Sequence, residues 1–141
     1  MQTTIMPIIA TNELEAVRKY YTEKLGFSEA FAMRGPDGEL VFVSFASQTG
    51  APLMFGTPMG SGALNPEGLT IFVSSEDVDA YHDELSVHEA DVVEGLTDQF
   101  WGDRTFIVRD PWGLHLMFGQ TVGEMSAPPE GFEMEMAQPV R

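Results

Sequence analysis

Four residues, LMFG, stand at 53–56 of this chain and again at 116–119, 63 residues later. Upstream of them, MPIIATNEL at 6–14 precedes TIFVSSEDV at 70–78 by 64 residues. A four-residue match alone carries little weight. This one falls at the same place in two runs that read in the same order: strand, helix, strand, strand, strand. Self-similarity at a fixed offset marks a duplicated supersecondary unit. It predicts an α+β fold in which two tandem βαβββ modules, about 3–57 and 68–121, form a curved mixed sheet around a groove. An acidic, Pro-containing tail at 122–141 follows, with no clear period.

In the first half, residues 3–10 read as a strand and Asn12 as the cap of a helix in which Leu14, Val17, Tyr20, Tyr21 and Leu25 recur at helical spacing. Gly26 stops that helix. Strands follow at 27–33, 40–47 and 52–56, the first two joined by a turn at RGPDGE. Gly, Pro, Ser and Asn at 56–68 mark a loop. In the second half, a strand at 69–74 leads to a helix opened by Ser75, with Glu76, Asp77 and Asp79 as first-turn charge and Val78, Tyr81 and Leu85 behind them. Strand material at 90–93, a loop with Phe100 and Trp101, the strand RTFIVRD, a DPWG turn and a last strand at 114–120 complete the order.

Charge narrows the partners. Seven basic against 22 acidic residues give a net charge of −15, and residues 35–103 contain no Lys or Arg. Binding a phosphate backbone requires clustered cations, so nucleic acid and anionic membrane surfaces are not expected, whereas a neutral or cationic small molecule is allowed. The absence of Cys removes disulfides, thiolate zinc sites and a cysteine nucleophile, and suits a cytoplasmic location. No stretch approaches about 18 consecutive apolar residues, and the N-terminal residues lack a signal-peptide pattern, so neither a span nor a leader is expected. Phosphate-loop, dinucleotide and nucleophile-elbow motifs are missing.

LEAVRKYYTEKLGF at 14–27 and FWGDRTFIVRDPWGLHLMFG at 100–119 resemble the vicinal oxygen chelate superfamily, which includes glyoxalase I, bleomycin resistance proteins and extradiol dioxygenases. The second segment resembles the closing hairpin of its bleomycin-resistance and glyoxalase-like branch. The resemblance implies paired βαβββ modules around a U-shaped groove, usually in a homodimer. It also implies a divalent metal held by His, Gln or Glu, at positions matched here by Met6, Met54, Thr70 and Met117. None of these is a hard-metal ligand, so no metal or cofactor is expected. Three thioethers suit Cu(I) chemically, although Met filling an apolar groove is the ordinary reading.

Strand alternation puts Met6 with Ile8, Thr70 with Phe72, and His115 with Met117 on one concave face. That makes a mostly apolar pocket with few polar groups, as small-molecule sites are; alternatively, the same side chains close the groove. His82 reads as a boundary residue and His88 as solvated, which leaves His115 as a ligand contact. Trp101 either stacks on a planar or cationic ligand or covers the core or a dimer contact. Trp112 reads as an exposed or interface aromatic, Asp110 and Gly113 as turn residues, and Arg109 as an ion-pair partner. The expected function is a metal-free binding protein for a small planar or cationic compound, with Met6, Met54, Thr70, Phe72, Trp101, His115 and Met117 in contact. A glyoxalase-like lyase, isomerase or dioxygenase, and a structural dimer with a filled groove, are the alternatives.

Overall fold

A computed structural model of the chain describes residues 7–47, 50, 52–57 and 69–132. The first half holds β1 (Ile8–Ala10), α1 (Leu14–Lys19) with a π-helical turn at Tyr20–Lys24, β2 (Ser28–Arg34), β3 (Leu40–Ala46) and β4 (Pro52–Gly56). The second holds β5 (Thr70–Ser74), α2 (Val78–Val87), β6 (Asp91–Asp98), β7 (Asp103–Arg109) and β8 (His115–Thr121). Two four-stranded mixed sheets result, ordered β1-β4-β3-β2 and β5-β8-β7-β6. In each, the strand before the helix lies parallel to the last strand of its half, and the other pairings are antiparallel. The order inferred from the repeat is therefore the order found.

Both sheets cover one core. Val17, Tyr21, Leu25, Val43, Phe45 and Phe55 from the first half and Val78, Tyr81, Leu85, Phe106, Leu116 and Phe118 from the second are all nearly or fully buried. Each such side chain contributes about 2 kcal/mol on leaving water. Phe106 stacks on Phe118 at 5.1 Å and Tyr21 on Phe45 at 5.4 Å. Helix-side residues also tie the halves together. The Tyr21 hydroxyl donates to Asp110 Oδ2 at 2.8 Å, the Tyr81 hydroxyl donates to the Leu25 carbonyl at 2.6 Å, and Phe27 meets Phe118 edge-on at 6.4 Å.

Several local readings need correction. Asn12 is not the cap of α1: Glu13 occupies that position, and its N–H donates to Thr11 Oγ1 instead. Ser75 is buried rather than capping α2, because Asp77 accepts from the Ala80 N–H at 3.1 Å while Gln120 Oε1 receives the Val78 N–H at 3.0 Å. β6 runs to Asp98 rather than ending at 93, since pairing with β7 across two register shifts outweighs Gly95 and the polar residues around it. The residues just after β8 turn back to the Phe100–Gly102 loop. Val122 and Gly123 donate to the Gly102 carbonyl and Ser126 to that of Phe100. A Cβ on Gly102 would lie 2.6 Å from the Gly123 carbonyl oxygen, and its φ is +100°, so this return depends on glycine.

Candidate functional site

Cross-strand register aligns side chains of the second sheet into rows on the side opposite the core. Thr70, His115, Arg109 and Asp91 form one row. Phe72, Met117, Ile107 and Glu94 form the next, followed by Ser74, Gly119, Thr105 and Thr97. Asp103 and Thr121 end the face, with their side chains hydrogen-bonded at 2.9 Å. Four of the sequence-derived residues, Thr70, Phe72, His115 and Met117, are thus immediate neighbours. Phe72 is 48% exposed. Its ring lies directly over Gly119, where an added Cβ would meet Phe72 Cζ at 2.5 Å. The glycine is what leaves room for the ring at this point of the sheet.

Trp101 stands at the far end of this face. Its indole N–H donates to Asp103 Oδ2 at 3.0 Å, and Phe100 packs edge-on against it at 5.3 Å. Met54 belongs to the first sheet, in a row with Ile8, Ser44 and Phe31. Met6 lies outside the described residues. The next row holds Ala10, Gly56, Phe42 and Met33. Ile8, Phe31 and Met33 are each about half exposed, and Phe31 contacts Phe42 at 5.4 Å.

Alternation along RTFIVRD, read back across the DPWG turn, also places Thr105, Ile107, Arg109 and their β6 partners on the Met117 face. Sequence alternation alone does not bring Thr105, Ile107 and Glu94 to this face, because a hairpin's register emerges only once both strands and the turn are fixed together. They add polar groups. Gln99 Nε2 donates to Thr105 Oγ1 at 3.0 Å and reaches Glu94 Oε1 at 3.5 Å. Arg109 is an ion-pair partner, as read: its guanidinium meets Asp91 at 2.8 Å.

Other residues settle into structural places. His82 packs edge-on against Phe106 at 5.2 Å, half-buried beside the core, and His88 is exposed at the end of α2. Asp79 and Asp98 both bind Arg104, which holds Asp98 below the usual carboxylate range. Trp112 is not an exposed aromatic; it packs on the core and meets Tyr20 at 5.8 Å. Asp110 does more than turn the chain. It is buried, accepts the Trp112 and Leu114 N–H groups at 2.9 Å, and takes the Tyr21 hydroxyl. Burial pushes its carboxyl upward, against the lowering effect of those hydrogen bonds. The same burial raises Tyr21 well above an ordinary phenol and Tyr20 to about 12.

A hard divalent ion does not fit the positions in question. Met54 and Met117 offer thioethers and Thr70 a neutral hydroxyl, whereas zinc, iron or magnesium sites use imidazole and carboxylate donors. Among the described residues, no group of three or more His, Cys, Asp or Glu is arranged to hold a metal.

Paired four-stranded sheets with a helix each, and an open face carrying a few polar groups among apolar ones, define the paired-βαβββ class. Within it, the chain belongs to the Glyoxalase/Bleomycin resistance protein/Dioxygenase superfamily, whose family model matches residues 3–118. An uncharacterized protein of Mycobacterium bovis is 28% identical over 134 residues, spanning 89% of this chain and 88% of that protein. Among solved structures, TnmS3, an antibiotic binding protein from Streptomyces sp. CB03234, superposes with a TM-score of 0.69 at 20% identity, covering 86% of this chain and 97% of that one. A glyoxalase/bleomycin resistance protein/dioxygenase from Nocardioides gives 0.66 at 21%, covering 98% and 91%. These structures share the fold.

Proposed function

We propose that this chain is a binding protein for a small planar or cationic compound and works without a hard metal ion. The ligand rests on the Phe72–Met117 row, with Thr70 and His115 supplying hydrogen bonds, Trp101 closing one end, and Met54 and Met6 contributed by the first sheet. One observation carries the reading: Phe72, half exposed and reaching from the edge strand β5 across Gly119 of β8, offers an aromatic ring on the open face. Such a platform stacks on planar rings. The antibiotic binding protein with the same fold lends support for the ligand class.

The half-exposed Ile8, Phe31 and Met33 on the open face of the first sheet support a homodimer that covers them. We further infer modules at 3–57 and 68–121, a cytoplasmic location, and no nucleic-acid or membrane partner. Among the described residues, no helix is long and apolar enough to cross a membrane.

Titration calorimetry and tryptophan quenching with a panel of planar and cationic antibiotics test the reading. Saturable binding that Phe72→Ala weakens at least tenfold is expected; no binding to any member overturns it. A second reading rests on Glu94, a carboxylate in the same row as Met117 and within reach of Gln99. There it would serve as a general base for a lyase, isomerase or dioxygenase reaction. Turnover of a glyoxalase-type substrate that Glu94→Gln abolishes would favour this reading instead.

A further inference from the structure

A cavity of about 210 Å³ lies at the seam between the two halves, and both build it. Ile9, Val17 and Phe55 come from the first; Asp110, Trp112 and Leu114 come from the second. Ile9 and Phe55 point to the opposite side of their sheet from Ile8 and Met54. The cavity is therefore separate from the face to which the ligand was assigned above. Its mouth lies beside Ala10, an exposed residue.

Apolar side chains form most of the wall. Asp110 is the exception, at 3% exposure. Its carboxylate accepts from the Trp112 and Leu114 N–H groups on Oδ1 and from the Tyr21 hydroxyl on Oδ2, and the Gly113 N–H also faces it. A carboxylate oxygen has about two acceptor positions, and the Tyr21 hydroxyl takes one of those on Oδ2. A buried charge costs less when a cation with good geometry faces it, and a chain of net charge −15 concentrates cations at its surface.

We infer that the seam cavity is a second binding site, taking a small primary amine with a single apolar ring. The ammonium donates to Asp110 Oδ2, and the ring lies among Ile9, Val17, Phe55 and Trp112. A cavity of about 150 Å³ lined by apolar side chains takes up benzene, so one six-membered ring with a short arm fits here. Because the walls come from both halves, the bound amine bridges them and raises the melting temperature with the logarithm of its concentration above Kd.

Benzylamine, benzyl alcohol and benzoate have nearly the same shape and differ in charge. Each is titrated into the full chain and followed by amide chemical shifts and thermal melting. Benzylamine is expected to shift Ala10, Thr11, Trp112 and Leu114, to saturate, and to bind about tenfold more tightly than the alcohol, the size of a hydrogen bond to a charged group. Benzoate is expected to leave these residues unmoved. Asp110→Asn removes the amine's advantage over the alcohol. Thr11→Phe, half-buried at the same mouth and on the Ile9 side of the strand, keeps Asp110 and blocks both, and it decides the matter if Asp110→Asn does not fold. Equal affinity for amine and alcohol, shifts centred on Phe72 and Met117, unsaturable shifts spread over the acidic surface, or binding unaffected by Thr11→Phe each overturn the inference.

Discussion

The two halves share an order of elements but not their furnishings. On the open face of the first sheet, the rows read Ile8, Met54, Ser44, Phe31 and Ala10, Gly56, Phe42, Met33. The second carries Thr70, His115, Arg109 and Asp91 above Phe72, Met117, Ile107 and Glu94. Corresponding places hold Phe31 and Glu94, or Ile8 and Phe72. The helices diverge as well: α1 is short, passes into a π turn and lacks a side-chain cap, whereas α2 runs ten residues from the Asp77 cap. The core-facing sides stayed alike, with Phe55 and Phe118 both buried 63 positions apart. Burial kept the core side of both sheets apolar, while the open sides match at Met54 and Met117 and at Gly56 and Gly119 and differ around them.

The largest test of that comparison lies in the core. Phe118→Ala and Phe55→Ala should each cost about 4 kcal/mol. Because one core serves both halves, each should also lower a single denaturant transition; two separate transitions would show that the halves fold independently. Asp110→Ala comes next, at about 3 kcal/mol, since it leaves two N–H groups and the Tyr21 hydroxyl without a partner at the seam. Asp77→Ala should cost about 1 kcal/mol, and Asn12→Ala, one residue before the position of the α1 cap, almost nothing, both read by urea denaturation.

Glycine separates the faces more finely. A Cβ at Gly56 meets nothing closer than 3.4 Å, whereas one at Gly119 collides with Phe72. Gly119→Ala should therefore swing the Phe72 ring away and weaken ligand binding, with stability changing by less than about 1 kcal/mol because the ring is half exposed. Gly56→Ala should leave binding unchanged; equal effects from the two would remove Phe72 from the site.

Acid titration gives the smallest effect. Arg18 and Arg104 lower Glu29 and Asp98, so their contribution is present above the ordinary carboxylate pKa, near 4, and fades as pH falls through the lowered values. Asp110, raised by burial, has the opposite sign: its contribution grows as pH falls through its folded value. Asp110→Asn should accordingly make the loss of melting temperature on acidification steeper than in the parent chain.

Periodicity and repeat made most of the architecture legible in the sequence. Alternation alone brought Thr70, Phe72, His115 and Met117 together, because two parallel neighbours with matched offsets share a register. What escaped depended on distant partners. Asp110 in DPWG reads as a turn residue until Tyr21, 89 positions earlier, is brought against it. Asp77 displaced Ser75 as the cap because Gln120, from the last strand, completes that helix end. Thr105 and Glu94 join the face only through hairpin register, and the extension of β6 is set by β7 rather than by its own composition.

The π-helical turn at Tyr20–Lys24 bears on how this chain can change in length. A π turn holds one residue more than the α-helical turn it replaces. Thr22 and Glu23 lie away from the core, so substitutions there meet little resistance. Deleting either, however, would rotate everything beyond it by about 100°. Leu25, fully buried and with its carbonyl accepting the Tyr81 hydroxyl, would leave both places at once. At this point the number of residues is under tighter control than their identity. Homologues should vary freely in letters across 22–23 while keeping the count between Tyr21 and Leu25 fixed.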